Sequence, residues 1–295
     1  MGENAFRRKF RYLLSLPIFW KHPARLLVRA FLWLFYCVIG HSPRFRISRG
    51  LWFKVDPVLH YSGSSSAFIL REWAEPELTH LDELLTPGDN FIDCGANIGI
   101  YTVCAAGIVG PSGRVIAVEP SKVSFRRLER NVAMNKLAQV ALVNEAVSET
   151  QGRAHLYHAD HGPVSFSLVP KPETEFEEVS TTTIDALAEQ SRLDHVECIK
   201  LDVEGVEAAV VRGARGVLSR FKPVVIFERT SYGQRRQASS ENVANTILSF
   251  GYRIYECVET SPSATGYESP NLVGIHPESY KRVPAFLKPW AASDA

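Results

Sequence analysis

Asp93-Cys-Gly-Ala-Asn-Ile-Gly99 follows a short apolar run and opens a helical stretch. Gly95 lets the backbone turn sharply and leaves no side chain between loop and ligand, and Gly99 lets the following helix pack close to the strand. A dinucleotide loop reads G-x-G-x-x-G, with glycine where a pyrophosphate touches the backbone. Here Asn97 stands at the middle position of Gly95-Ala96-Asn97-Ile98-Gly99. That substitution suits a nucleoside carrying an amino acid better than a dinucleotide. Asn97 can offer its amide to the amino-acid end, and Asp93 can pair with an ammonium group.

Further acids close the following apolar runs. Glu119-Pro120 lies twenty residues beyond Gly99, where a carboxylate accepts hydrogen bonds from both ribose hydroxyls. Dehydrogenases share that feature, so Glu119 alone does not discriminate. Glu145-Ala146 ends the third run, and Glu145 can border an adenine. Each acid taken singly reads as a solvated strand end. Three at consecutive strand termini are harder to dismiss.

The second informative segment is Ile199-Lys-Leu-Asp-Val-Glu-Gly-Val-Glu207. Lys200 and Asp202 point the same way on a strand. Such a pair at a ligand-binding rim is costly unless it is paired or functional. Asp202 is the candidate general base, and Lys200, one pleat back, can anchor it or lower the pKa of an acceptor. Glu204 and Glu207 open the next helix, where acids complement the dipole. That role is the plain structural account of Glu204, and it accounts better still for Glu207. Glu228 ends the fifth strand and faces the same cleft. A divalent ion on Asp202, Glu204 and Glu228 is an alternative Lewis acid. No second Asp pair or His accompanies these acids, so no metal is expected.

The elements that must position these groups alternate strand and helix from Asn90 onward. Strands are expected at Phe91–Asp93, Arg114–Val118, Val140–Val147, Val196–Leu201 and Pro223–Phe227, with helices at Ile98–Val109, Ser121–Lys136, Glu204–Arg220 and Glu241–Phe250. Thr183 reads as the N-cap of a short helix through Gln190. A period-two stretch from Arg153 to Leu168, broken at His161-Gly-Pro163, predicts a hairpin insertion. Tyr252–Tyr255 and Leu272–Ile275 supply two further strands at one edge. This alternation predicts a mostly parallel, Rossmann-like seven-stranded sheet with helices on both faces. The domain is expected over residues 87–280, followed by a tail over 281–295. Before it, residues 45–61 predict one or two short strands, Ser62–Ser66 a loop, and Ala67–Leu85 a helix.

The bulk numbers fit a folded protein: 295 residues, 45% hydrophobic and 22% charged. The five cysteines form no CxxC pair, which favours reduced, buried thiols in a reducing compartment. The net charge of +1 conceals an asymmetry, because the first 50 residues carry ten Lys/Arg against one acid, Glu3. A basic front points to an anionic surface, membrane headgroups or nucleic acid. The apolar run Ala30–Gly40 is far short of the ~20 residues of a spanning helix. Two readings compete for it. One is an interfacial helix with Trp20, Trp33 and Tyr36 near headgroup depth, its deletion over residues 1–45 leaving a folded core. The other is a helix packed on the catalytic domain. A cytoplasmic placement is expected, with the basic front able to touch the inner face of the membrane.

The runs FIDCGANIGIYTVCAA, GRVIAVEP, NVAMNK, NEAVS, TTTIDAL, IKLDVEGVEAAVVRGA and PVVIFE together resemble the FkbM family of methyltransferases. The resemblance spans roughly Pro87 to His276, with the motifs in family order. It implies a class I fold, S-adenosylmethionine as methyl donor, and usually O-methylation of a hydroxyl on a sugar, lipid or secondary metabolite. By match, Asp93, Gly95, Asn97, Gly99 and Glu119 carry over as cofactor contacts. Cys94 stands where the family has Val, a conservative departure, and residues 153–180 follow the pattern weakly.

Two other classes compete. A nucleic-acid methyltransferase would use the basic front to hold phosphates. Such enzymes carry an NPPY or PC motif after strand four, whereas LDVEG here would repel phosphates. A binding or scaffold protein on a dead fold is the third reading, and the intact glycines and strand-end acids stand against it.

Overall fold

The computed structural model describes residues 13–14, 16–58, 62–158, 166–168, 175–203, 205–229, 243–258, 271–279 and 283–290. In chain order these include α1 (Pro17–Lys21), α2 (Pro23–Ile39), β1 (Arg44–Arg46), β2 (Trp52–Lys54), α3 (Ser62–Ile69), α4 (Pro76–Thr79) and α5 (Leu81–Leu84). There follow β3 (Asn90–Cys94), α6 (Ile100–Val109), β4 (Arg114–Val118), α7 (Lys122–Met134), β5 (Val140–Val143), β6 (Ala146–Val147) and β7 (Gly152–His158). Next come β8 (Phe166–Ser167), β9 (Phe176–Thr182), α8 (Ile184–Gln190), β10 (Cys198–Leu201), α9 (Glu207–Arg212), α10 (Arg215–Phe221) and β11 (Val224–Glu228). Residues 243–249 form α11, and β12 (Arg253–Cys257), β13 (Asn271–Ile275) and β14 (Leu287–Pro289) complete the chain.

Period-two alternation on the central strands separates two apolar layers. Phe91, Val115, Cys198 and Val224 pack on one face with α6, Phe45, Phe53 and Phe68. Ile92, Ile116, Ile199 and Val225 pack on the other with α8, α9, α10 and α11. The sheet between them runs β14-β12-β13-β11-β10-β3-β4-β5. Its five members from β11 to β5 are parallel, and β13, β12 and β14 join antiparallel. The expected seven strands are thus eight among the described residues. Residues assigned to a tail supply the eighth, β14, whose neighbour Trp290 donates its N–H to Ile254 O.

Two of the described helices start at an N-cap residue whose side chain accepts a hydrogen bond. Ser121 Oγ accepts from Ser124 N ahead of α7, and Thr183 Oγ1 from Ala186 N ahead of α8. Elsewhere the sequence reading needs correction. Val140–Val147 is two strands, because β6 leaves β5 to pair with β9 in a second sheet ordered β6-β9-β7-β8. The expected hairpin is β7 with β8, and its break at His161–Pro163 lies outside the described residues. The expected helix 204–220 breaks at Gly213, where any Cβ would land on Ser148 O. Ser62–Ser66 is helical rather than a loop, and Ala67–Leu85 is the end of α3 followed by three short turns of helix, interrupted before Pro76. Proline lacks the N–H that would continue the ladder.

Helix α2 and the β1–β2 hairpin are part of the core. Trp33 on α2 is buried and its ring lies 5.5 Å from that of Phe68. Removing residues 1–45 would therefore expose the apolar layer, against the expectation of a separable extension. Trp33 and Tyr36 turn inward, so neither sits at a headgroup face. The β1–β2 hairpin is fastened to α7, since Asp56, two residues past β2, accepts from Arg127 Nε at 2.7 Å and Arg130 Nη1 at 3.0 Å.

Candidate active site

The loop after β3 makes the cavity at the carboxyl ends of the strands, where ligands bind in sheets of this kind. Gly95 has φ of +79° and Gly99 of +92°, and between them Asn97 has φ of +51°. Asn97 thus takes the left-handed conformation that glycine supplies in a dinucleotide loop, which Asn tolerates better than most residues. The need for Gly95 is more specific than open space for a ligand. A Cβ there would land on the Asp202 carbonyl, so β3 and β10 end in backbone contact.

Pairing register then assembles the charges. Asp93 on β3 and Lys200 on β10 are direct partners, and Lys200 is in turn the partner of Ile226 on β11. One pleat on, Glu228 is the partner of Asn271. Asp93, Lys200 and Glu228 therefore share the face that packs on α6 and α3. Asp93 and Lys200 are each 2% exposed and Glu119 6%. Burial pushes the Asp93 carboxyl up to about 6, against the lowering effect of the Thr102 hydroxyl that donates to it at 2.5 Å. Burial likewise pushes Glu119 up to about 7, although Ser121 N and Asn97 N both donate to it. For Lys200, burial alone would lower the pKa, but Asp202, then Glu75, Asp93 and Glu228 outweigh it and raise it. The Lys200 Nζ–Asp202 Oδ2 distance is 3.7 Å, and the Asp202 side chain is 44% exposed.

Asp93, Gly95, Ala96, Asn97, Lys200 and Asp202 line one cavity. Glu119 and Pro120, just past β4, are not among the lining residues, but Glu119 Oε2 accepts from the N–H of Asn97, which is. Gly99 faces Leu128 on α7 and serves packing. Glu145 is half-buried between β5 and β6, and Ala146 is buried with Leu156 and Val179 in the second sheet. Neither is among the residues of the cavity wall. Glu204 lies outside the described residues. Glu207 Oε1 accepts from Gly205 N at 3.0 Å, so this acid caps the start of α9.

A family model described as the methyltransferase FkbM domain matches residues 93–254, more than half of the chain. The chain belongs to that family. Among relatives of this FkbM protein, Methyltransferase 1 of Beauveria bassiana is 30% identical over 148 residues, covering 43% of this chain and 59% of that protein. Methyltransferase sdnD of Sordaria araneosa is 26% identical, covering 43% of this chain and 61% of that protein. The alignments thus span about three fifths of these relatives. A solved FkbM methyltransferase of Methylobacillus flagellatus has a TM-score of 0.44 at 20% identity, covering 71% of this chain and 53% of that one.

Sequence reasoning missed a second set of residues in the FkbM cavity. Tyr101 Oη donates to Glu75 Oε2 at 2.5 Å, and Asn271 Nδ2 donates to the same oxygen at 2.8 Å. Asn271 Nδ2 also reaches Glu77 Oε2, and Lys200 Nζ donates to Asn271 Oδ1 at 3.4 Å while lying over the Tyr101 ring. Glu77 is fully buried. The available signal was the proline of Glu75-Pro76-Glu77, which breaks the helix between two acids.

Proposed function

We propose that this FkbM-family protein is an S-adenosylmethionine-dependent methyltransferase acting on a hydroxyl of a sugar, glycolipid or secondary metabolite. The observation that carries this reading is the Lys200–Asp202 pair beside the Gly95–Gly99 loop, in one cavity with Asp93. The donor set suits the cofactor. Asp93 is a buried acid at the loop, fitted to an ammonium group, and Asn97 offers an amide to the amino-acid end. The Glu119 oxygens each keep a lone pair for a ribose hydroxyl beyond the backbone N–H already bound. Gly95 and Ala96 line the cavity and belong to the cofactor's binding surface, whereas Gly99, Pro120, Glu145 and Ala146 are not among the lining residues.

When bound, S-adenosylmethionine supplies an activated methyl group. The chain's own residues then have to align an acceptor oxygen and take its proton. Asp202, partly exposed at the cavity, accepts that proton on its carboxylate. Lys200, fixed by Asn271 and by the Tyr101 ring, holds Asp202 in place. Glu228 adds negative charge on the same face. Acids on this rim disfavour a phosphate-rich nucleic acid as acceptor.

Asp202→Asn is expected to lower turnover by about 10²-fold or more while calorimetry shows unchanged cofactor affinity. Full activity of this variant without added metal refutes the base. Loss of wild-type activity on chelation, restored by magnesium, replaces the base with a metal ion.

A further inference from the structure

Helix α2 is apolar on both faces, and the fold uses only one of them. Leu26, Arg29, Ala30, Trp33, Tyr36 and Cys37 recur at helical spacing and turn inward. The opposite stripe is Leu27, Val28, Phe31, Leu32, Leu34, Phe35, Val38 and Ile39, every one exposed, Phe31 by 71% and Val38 by 85%. A helix apolar all round is normally buried in protein or in lipid. Single exposed apolar residues need no explanation, but a continuous stripe marks an interaction surface.

Charge decides what covers it. Residues 13–50 contain Lys21, Arg25, Arg29, Arg44, Arg46 and Arg49 and no Asp or Glu. Basic groups precede the stripe at its N-terminal end and follow it past Gly40, and Trp20, 61% exposed, sits beside Lys21. Apolar residues flanked by Arg, Lys and Trp match a helix lying in an anionic lipid interface. The 17 residues of α2 span ~25 Å at 1.5 Å each, and no described helix is long and apolar enough to cross a membrane. We propose that the outward face of α2 lies in the plane of an anionic bilayer, with Lys21, Arg25 and the arginines beyond Gly40 at headgroup level. The inner face packs on α3, where Arg29 Nη1 donates to Ile69 O at 3.0 Å. Gly63, Ser66 and Ala67 of α3 line the cavity, so docking sets the cavity one helix away from the lipid.

Flotation of the full chain with phosphatidylcholine vesicles containing about 30% phosphatidylglycerol tests this. Wild type is expected to float with these vesicles and about fivefold less with phosphatidylcholine alone or in high salt, since screening weakens headgroup attraction. Phe31→Glu combined with Val38→Glu is expected to abolish flotation. Both side chains are exposed, so thermal unfolding and cofactor binding should stay unchanged, which separates this proposal from the methyltransferase reading. Equal flotation of variant and wild type overturns the proposal, as does failure of the wild type to float. Light scattering that shows a dimer split by the same two substitutions, without flotation, assigns the face to a second copy and also overturns it.

Discussion

The two ends of the central sheet carry similar side chains in opposite settings. At the carboxyl end Asp93, Glu119 and Lys200 are at most 6% exposed. At the amino end Asp89, His195 and Glu197 also cluster, but the His195 side chain is 43% exposed and that of its partner Asp194 87%. The acids of the amino end are taken up by nearby backbone. Thr86 N donates to Asp89 Oδ2 and Asn90 N to Glu197 Oε2, fastening the turns that lead into β3 and β10. A wider cleft lies here too, lined by Gly88, Arg114, Ser191 and His195. Size and charge type therefore do not mark the site. Burial of charges that face one another does, because water no longer screens them and their protonation is displaced.

The largest difference between the ends should follow loss of the Glu119 carboxylate. Glu119→Ala is expected to weaken S-adenosylmethionine binding by ~1.5–3 kcal/mol, the scale of hydrogen bonds to a charged group. Wild-type affinity by calorimetry, or tight NAD binding by the parent chain, breaks the assignment. Next comes pH. The folded protein holds a proton on Glu119 up to about 7, above the ordinary 4.5. Its contribution to the ligand-free fold is fully present below about 4.5 and is lost as pH rises through about 7. Cofactor binding runs the other way, since ribose hydroxyls donate best to the ionised carboxylate. Affinity should fall by up to about tenfold per pH unit below 7, and Glu119→Gln should flatten both dependences. A flat affinity in the parent between about pH 6 and about pH 8 would remove Glu119 from the ribose. The smallest effect is expected at the amino end. His195→Ala should leave turnover unchanged and shift folding stability by no more than about 0.5 kcal/mol, as surface substitutions usually do. A large loss of turnover there would move the functional end of the sheet.

Much of this site was legible because it is written in short segments. The Gly95–Gly99 loop, Glu119 after β4 and the Lys200–Asp202 pair each fall within a few residues, and strand polarity alone places them at one end. What escaped were partners brought from afar. Asn271 meets Glu75 across 196 positions of sequence, and nothing in the segment holding either residue names the other. Reading Ala67–Leu85 as one helix overlooked Pro76, which breaks it between Glu75 and Glu77.

The sequence by itself determined the alternation of elements, the cap at Thr183, and the acids at strand ends, because each rests on backbone geometry or on bonds between near neighbours. Tertiary structure alone decided that β6 would leave the central sheet and that β13 would insert between β11 and β12. It also decided which stripe of α2 would be buried. Both stripes of that helix are apolar, so hydropathy could not choose between them. The rings of Phe45 and Phe68 did, by offering Trp33 a packed surface on one side.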